Sequence, residues 1–179
     1  MLVVLLLQSC ENDLAEVQKV VQSDEANTEL ARDVELLYSD SAIVRVRIKG
    51  PRMIRHLERN NPWEEFPDGI EVDVFNSVGS VQGKLTAKYA VRYQDKREVI
   101  ASDSVVWQSL NEERLETEKL IWDEKGQRVF SKSFCKITKP DEVIFSHGFE
   151  ANEDFTHWKL NAIEGKLKVE GIDQNDVKN

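Results

Sequence analysis

Apolar and polar residues alternate in short runs along most of the chain. Between positions 42 and 49, aliphatic residues occupy positions 44, 46 and 48, and basic residues occupy positions 45, 47 and 49. A period of two is typical of β-strands, because successive side chains point to opposite faces of a sheet. The same alternation, or an enrichment in β-branched and aromatic residues, marks the runs 34–38, 70–75, 84–93, 99–107, 117–122, 128–130, 133–137, 143–145, 158–160 and 165–169.

Turn-forming residues separate these runs and indicate the fold class. Residues 123–126 (Asp-Glu-Lys-Gly) and the pair Pro140 and Asp141 have turn chemistry. The pair at 50–51 (Gly-Pro) is expected to end the strand at 42–49, and residues 53–57 to form one or two helical turns. Beyond this point no amphipathic run is much longer than two helical turns. The sequence therefore predicts an all-β protein.

A hydroxyl residue recurs through the middle of the chain. It stands at positions 86, 102, 117 and 131, at spacings of 16, 15 and 14 residues. Each interval holds a strand, a turn and a returning strand, which predicts hairpins stacked side by side. Units that contact only their neighbours build an elongated sheet with open edges.

Alternation within these repeats assigns an apolar face to the interior of the fold. Its members are Val105, Trp107, Leu120, Trp122 and Phe134. The opposite face carries Ser102, Ser104, Val106, Thr117, Lys119, Ile121, Ser131, Ser133 and Cys135. Two interpretations stay open: the apolar face is an ordinary packed core, or two facing sheets leave an apolar trough that holds a lipid. Under the second interpretation the five apolar residues contact acyl chains.

The first residues suggest a lipid anchor. Positions 2–7 are apolar, which is far short of the roughly 20 residues that span a bilayer. Residues 7–10 (Leu-Gln-Ser-Cys) resemble a bacterial lipobox, which implies a signal peptide at 1–9 and lipid attachment at Cys10. No basic residue precedes Lys19, although signal peptides begin with positive charge. A chance cysteine after a misassigned start is therefore the alternative.

Length and charge fit one anchored domain. We assign residues 10–33 to a lipidated tether, 34–170 to a single folded domain and 171–179 to a polar tail. With 33 acidic and 24 basic residues and a net charge of −9, the chain is poorly suited to bind nucleic acid. Its two cysteines cannot build a disulfide framework, and Cys135 is expected to be a buried apolar residue.

The sequence carries no pattern of a catalytic, cofactor or metal site. A nucleophile elbow, a phosphate-binding glycine loop and a dinucleotide fingerprint are all missing from it. The histidines at 56, 147 and 157 share no metal-ligand spacing with the cysteines. We therefore expect a non-enzymatic protein that uses no cofactor and no metal.

Six segments together resemble the LptC family, the periplasmic component of the lipopolysaccharide export transporter, in the form seen in Bacteroidetes-like bacteria. They occur in the same order as in the family and fall within about three quarters of the chain. No segment is specific alone, but the set is fairly specific. They are 38–42 (Tyr-Ser-Asp-Ser-Ala), 66–72 (Phe-Pro-Asp-Gly-Ile-Glu-Val), 85–89 (Leu-Thr-Ala-Lys-Tyr), 115–123 (Leu-Glu-Thr-Glu-Lys-Leu-Ile-Trp-Asp), 134–138 (Phe-Cys-Lys-Ile-Thr) and 148–155 (Gly-Phe-Glu-Ala-Asn-Glu-Asp-Phe).

The resemblance implies a twisted β-jellyroll with an apolar interior, open at both ends, at the periplasmic face of the inner membrane. Such a protein receives lipopolysaccharide from inner-membrane transporter subunits and passes it to LptA, a soluble jellyroll bridge protein, by pairing sheet edges. Many family members begin with a transmembrane helix, where this chain has Cys10. The alternative function is a periplasmic or surface β-module that binds protein or glycan through its edges.

Overall fold

The computed structural model describes residues 27–168, which form an all-β domain without an α-helix in that range. Turns or short irregular segments separate most of the strands, as the sequence predicts. The twelve strands are β1 (Thr28–Asp40), β2 (Ile43–His56), β3 (Trp63–Phe66), β4 (Ile70–Phe75), β5 (Val81–Ala87), β6 (Tyr89–Tyr93), β7 (Glu98–Ser109), β8 (Arg114–Asp123), β9 (Arg128–Thr138), β10 (Glu142–Asn152), β11 (Trp158–Leu160) and β12 (Ile163–Lys168).

All twelve strands belong to one antiparallel sheet. At one end β1 pairs with β2. The long strands β2 and β7 are connected through two pairs of short strands, β4–β5 and β3–β6. Strands β8, β9 and β10 follow in order, and β11 and β12 both pair with β10 at the other end. This is the elongated, jellyroll-like stacking of antiparallel strands that the sequence predicts.

Strand β2 is longer than the sequence predicts. It continues through Gly50 and Pro51 to His56, so the predicted strand end and the helical turns at 53–57 are both wrong. Pro51 has no N–H to donate to a neighbouring strand. It lies between the part of β2 that pairs with β4 and the part that pairs with β3, where the ladder on that edge is interrupted. Proline is therefore compatible with a continuous strand at this position.

The sheet also begins earlier than position 34. Strand β1 starts at Thr28, inside the range assigned to the tether, and its first residues pair with the end of β2. The proposed signal peptide, the lipid site Cys10 and the polar tail at 171–179 lie outside the described residues.

The sheet folds over so that one face encloses the core. Side chains from β2, β4 and β5 face side chains from β7, β8 and β9 around a common interior. Strand β1 meets β8 across this interior, where the rings of Tyr38 and Trp122 make an edge contact with 5.1 Å between centroids. The most deeply buried members of the core are Ile48, Phe66, Ala90, Val105, Cys135 and Ile144.

A register shift between β8 and β9 corrects the predicted face of β9. Leu115 and Thr117 point inward, but a shift in register between Thr117 and Ile121 turns Leu120 to the same side. Across the shift, residues 118–120 of β8 lie opposite residues 131–134 of β9, so the two strands do not keep the same alternation. Strand β9 keeps a single alternation through its buried residues, which are Val129, Ser131, Cys135 and Ile137. The prediction that Cys135 is buried is therefore confirmed, whereas its predicted neighbours on the outer face, Thr117 and Ser131, are also inside.

Candidate functional site: an apolar interior and its mouth

The interior between the folded halves of the sheet holds a small apolar cavity. Its volume is about 50 Å³, and Glu153 is the single polar residue among the described residues that line it. A water molecule occupies about 30 Å³ in the liquid, and small-molecule pockets measure about 300–1,000 Å³. The interior is therefore almost completely filled. Its lining is Val46, Ile48, Ile70, Val72, Val74, Leu85, Val99, Ala101, Leu120, Trp122, Val129, Glu153 and Phe155.

The structure brings four of the five predicted interior residues to this core. Val105, Trp107 and Leu120 are buried, and Leu120 lines the cavity itself. Trp122 also lines the cavity and is half-buried at its mouth.

Phe134 does not belong to the interior. Its side chain is 46% exposed and packs on the outside of the sheet against Phe145 and His147. The prediction that Phe134 faces the interior is therefore wrong, because β9 keeps its own alternation across the register shift with β8. Cys135 occupies the inward position beside it.

Trp122 forms the mouth of the interior together with residues that the alternation does not predict. Its indole Nε1 donates a hydrogen bond of 2.7 Å to Glu153 Oε1, and Tyr38 covers its ring edge. Outside this mouth is an open vestibule of about 390 Å³, which shares Trp122 and Glu153 with the apolar cavity. The vestibule also carries Asp40, Asp154 and Arg45. Carboxylates thus outnumber cations around the mouth, and anionic groups are not attracted there by charge.

Tyr38 is held at the mouth by a part-buried ion pair. The guanidinium of Arg92 lies 5.2 Å from the centre of the Tyr38 ring and pairs at 3.0 Å with Glu64, which is 2% exposed. Burial raises the pKa of Tyr38 to about 12. Tyr38 therefore stays neutral at physiological pH and contributes an apolar ring to the mouth.

Phe155 is the main interior residue that the sequence does not reveal. It lies in the turn after β10, stacks on Trp107 with 3.9 Å between ring centroids and lines the cavity. Polar residues surround it in the sequence, so no periodicity marks it. Its position in a segment that resembles the LptC family, 148–155, is the sole signal that could have drawn attention to it.

Both edges of the sheet carry exposed apolar side chains. On β1, Leu30 and Leu37 are each 57% exposed, and within residues 27–168 this strand pairs with β2 alone. At the other end, Ile163 and Leu167 of β12 are 51% and 60% exposed. An unpaired strand edge with apolar side chains is a surface for strand addition.

Among residues 27–168, no three His, Cys, Asp or Glu side chains are grouped to hold a metal ion, and no helix is long and apolar enough to cross a membrane. No protein-family model matches the chain, and no curated protein matches it either.

Proposed function

We propose that this protein is a non-enzymatic lipid-transfer scaffold, which receives lipopolysaccharide from an inner-membrane transporter and passes it along a periplasmic bridge of β-jellyrolls. One observation carries the proposal: a single antiparallel sheet folds over an interior lined almost entirely by apolar side chains, and within residues 27–168 both of its edges are open. The resemblance of six segments to the LptC family supports the same function.

The interior is suited to acyl chains rather than to charged headgroups. Burial of a methylene group contributes about 0.8 kcal/mol, and the lining offers apolar contacts from β2, β4, β7 and β8. The acidic vestibule, with Asp40, Glu124 and Asp154, does not attract phosphate groups. The sugar and phosphate groups of the lipid would therefore remain in solvent while its chains enter the interior.

The two sheet edges would serve different partners. Strand β1 contains four carboxylates and one arginine, whereas β12 contains two lysines and one glutamate. A difference in charge favours different neighbours. In the proposed assembly, transporter subunits and an LptA-like protein add strands to opposite edges, and lipid on Cys10 holds the domain at the periplasmic face of the inner membrane.

Photo-crosslinking tests the proposal. A photoreactive amino acid is placed at Trp122 or at Trp107, and lipopolysaccharide labelling is followed in membranes with and without ATP. We expect ATP-dependent labelling from these interior positions. Phe134, which lies on the outer face, is the matched control and should not label. Absence of labelling from both interior positions while the transporter is active would contradict the proposed function.

A second function is a β-module that binds protein or glycan through its edges without carrying lipid. The observation in its favour is that the interior cavity measures only about 50 Å³, while Leu30, Leu37 and Leu167 are exposed on edge strands. Depletion of the protein distinguishes the two functions. Delivery of lipopolysaccharide to the outer membrane stops if the chain transfers lipid and continues if it is an edge-binding module.

A further inference from the structure

The turn between β10 and β11, residues 153–157, folds inward over the end of the core. It carries Phe155 into the space between two small voids, the central cavity of about 50 Å³ and a second of about 20 Å³. The ring stacks on Trp107 at an interplanar angle of 11° and lies 6.2 Å from Phe149. An aromatic ring from a surface turn thus lines both voids.

The backbone holds Phe155 in an unfavourable conformation. Its φ is 57°, in the left-handed region, which is unusual for a bulky aromatic residue. Strain of this kind persists only where surrounding contacts enforce it, and it is found at clamps and switches. The packing of the ring into the core is the contact that enforces it here.

The turn is connected to the rest of the protein by few polar contacts. The Phe155 N–H donates to the Asn152 carbonyl oxygen, and Asp154 accepts from the Thr156 N–H, so these bonds close within the turn. Among the described residues, the side-chain hydrogen bond that joins the turn to a distant strand is the one from Trp122 to Glu153. The turn can therefore move outward without breaking the sheet.

We propose that the Phe155 ring fills an acyl-chain subsite, and that residues 153–157 are a plug which an entering fatty acyl chain displaces. The inference rests on the proposed lipid-transfer function and adds to it a subsite and a means of closure. A methylene chain can replace the apolar contacts that the ring makes with Trp107 and Phe149. Departure of the ring joins the two voids and releases the left-handed backbone, while the Trp122–Glu153 hydrogen bond holds the plug shut without lipid.

Binding of cis-parinaric acid, a naturally fluorescent fatty acid, tests the plug in the full chain. The apparent affinity of a site falls by the fraction of molecules in which it is closed. Phe155→Ala removes the ring that closes the site, so we expect binding about tenfold tighter than in the wild type. Phe134→Ala removes the same group from the outer face and should leave the affinity unchanged.

The fatty-acid binding assay distinguishes failure of the plug from failure of the proposed lipid-transfer function. Equal binding by wild type and Phe155→Ala overturns the plug and leaves lipid transfer standing. If neither protein binds the fatty acid, the lipid-transfer function fails and the subsite fails with it.

Hydrogen exchange in the wild-type chain gives a second test that does not require the variant to fold. Addition of the fatty acid should speed exchange of the Trp122 indole N–H, because opening of the plug breaks its hydrogen bond to Glu153. Unchanged or slower exchange of the Trp122 indole N–H on binding would overturn the proposal.

Discussion

Gly83 on β5 lies directly against the Trp107 ring, and we predict that a methyl group at this position destabilises the domain. A Cβ atom built on Gly83 would overlap the Cη2 and Cζ2 atoms of Trp107 and approach the Gln108 carbonyl oxygen to 2.8 Å. Non-bonded carbon atoms are most favourable at about 3.5–4.0 Å. Trp107 cannot simply retreat, because Phe155 is stacked 3.9 Å from it.

The expected loss for Gly83→Ala is about 1–3 kcal/mol of unfolding free energy, the usual cost of overpacking a core. For a domain of this size each kcal/mol lowers the melting temperature by about 2–4 °C. Urea unfolding followed by tryptophan fluorescence measures the change. The matched control is Gly165→Ala on β12, where the nearest heavy atom to the new Cβ is Phe145 Cδ2 at 4.0 Å. Its stability should stay within about 0.5 kcal/mol of the wild type.

A double-mutant cycle tests the contact between Gly83 and Trp107 directly. In a Trp107→Phe background the smaller ring leaves room for the methyl group, so Gly83→Ala should cost less there than in the wild type. Neighbouring residues in contact couple by about 0.5–3 kcal/mol in such a double-mutant cycle. Strict additivity of the two changes, or equal stability of the two alanine variants, would refute the assigned packing of Trp107.

Three further predictions concern a thiol, a phenol and the anchor. The Cys135 side chain has no exposed surface, so in a Cys10→Ser chain it should resist thiol reagents until urea unfolds the domain; rapid labelling in buffer would contradict its burial. Burial raises the pKa of Tyr38 from 10.0 to about 12, so its contribution to stability is fully present below pH 10 and is lost as the pH rises towards 12. In urea titrations at several pH values, Tyr38→Phe should lose less unfolding free energy than the wild type as the pH rises towards 12. An equal loss in both proteins would contradict the assigned burial of the Tyr38 hydroxyl. Cys10→Ser should release the chain from membranes into the soluble periplasmic fraction, and retention of this variant at the membrane would mean that another contact anchors it.

Local patterns in the sequence were sufficient to predict the strands but not their continuity. Alternation identifies β2 correctly up to Lys49. Beyond it, Gly50 and Pro51 favour a turn in an isolated peptide, and the strand continues because β1 pairs with it on one edge while β3 resumes pairing on the other. Tertiary pairing of this kind overrides local propensity. The same is true of Thr28, whose polar surroundings conceal its pairing with His56.

The interior was predictable where alternation is regular and not where the chain changes direction. Trp107 and Leu120 were placed correctly, because both belong to runs with a clear apolar face. The position of Phe134 depends on a register shift between β8 and β9, which alternation within a single strand cannot reveal. Phe155 depends on where a turn folds back, and this is decided by contacts with Trp107, which is distant in sequence.

The hydroxyl spacing has a physical basis in one hairpin. Thr117 on β8 and Ser131 on β9 share a buried hydrogen bond of 3.1 Å, and the Thr117 hydroxyl donates to the Phe134 carbonyl oxygen at 2.9 Å. The register shift between β8 and β9 leaves backbone N–H and C=O groups of both strands without regular partners, and buried polar groups need other hydrogen-bond partners. By contrast, Thr86 is exposed on the outside of β5. The repeat therefore reflects the geometry of a bulged β8–β9 pair inside an apolar core, rather than four equivalent hairpins.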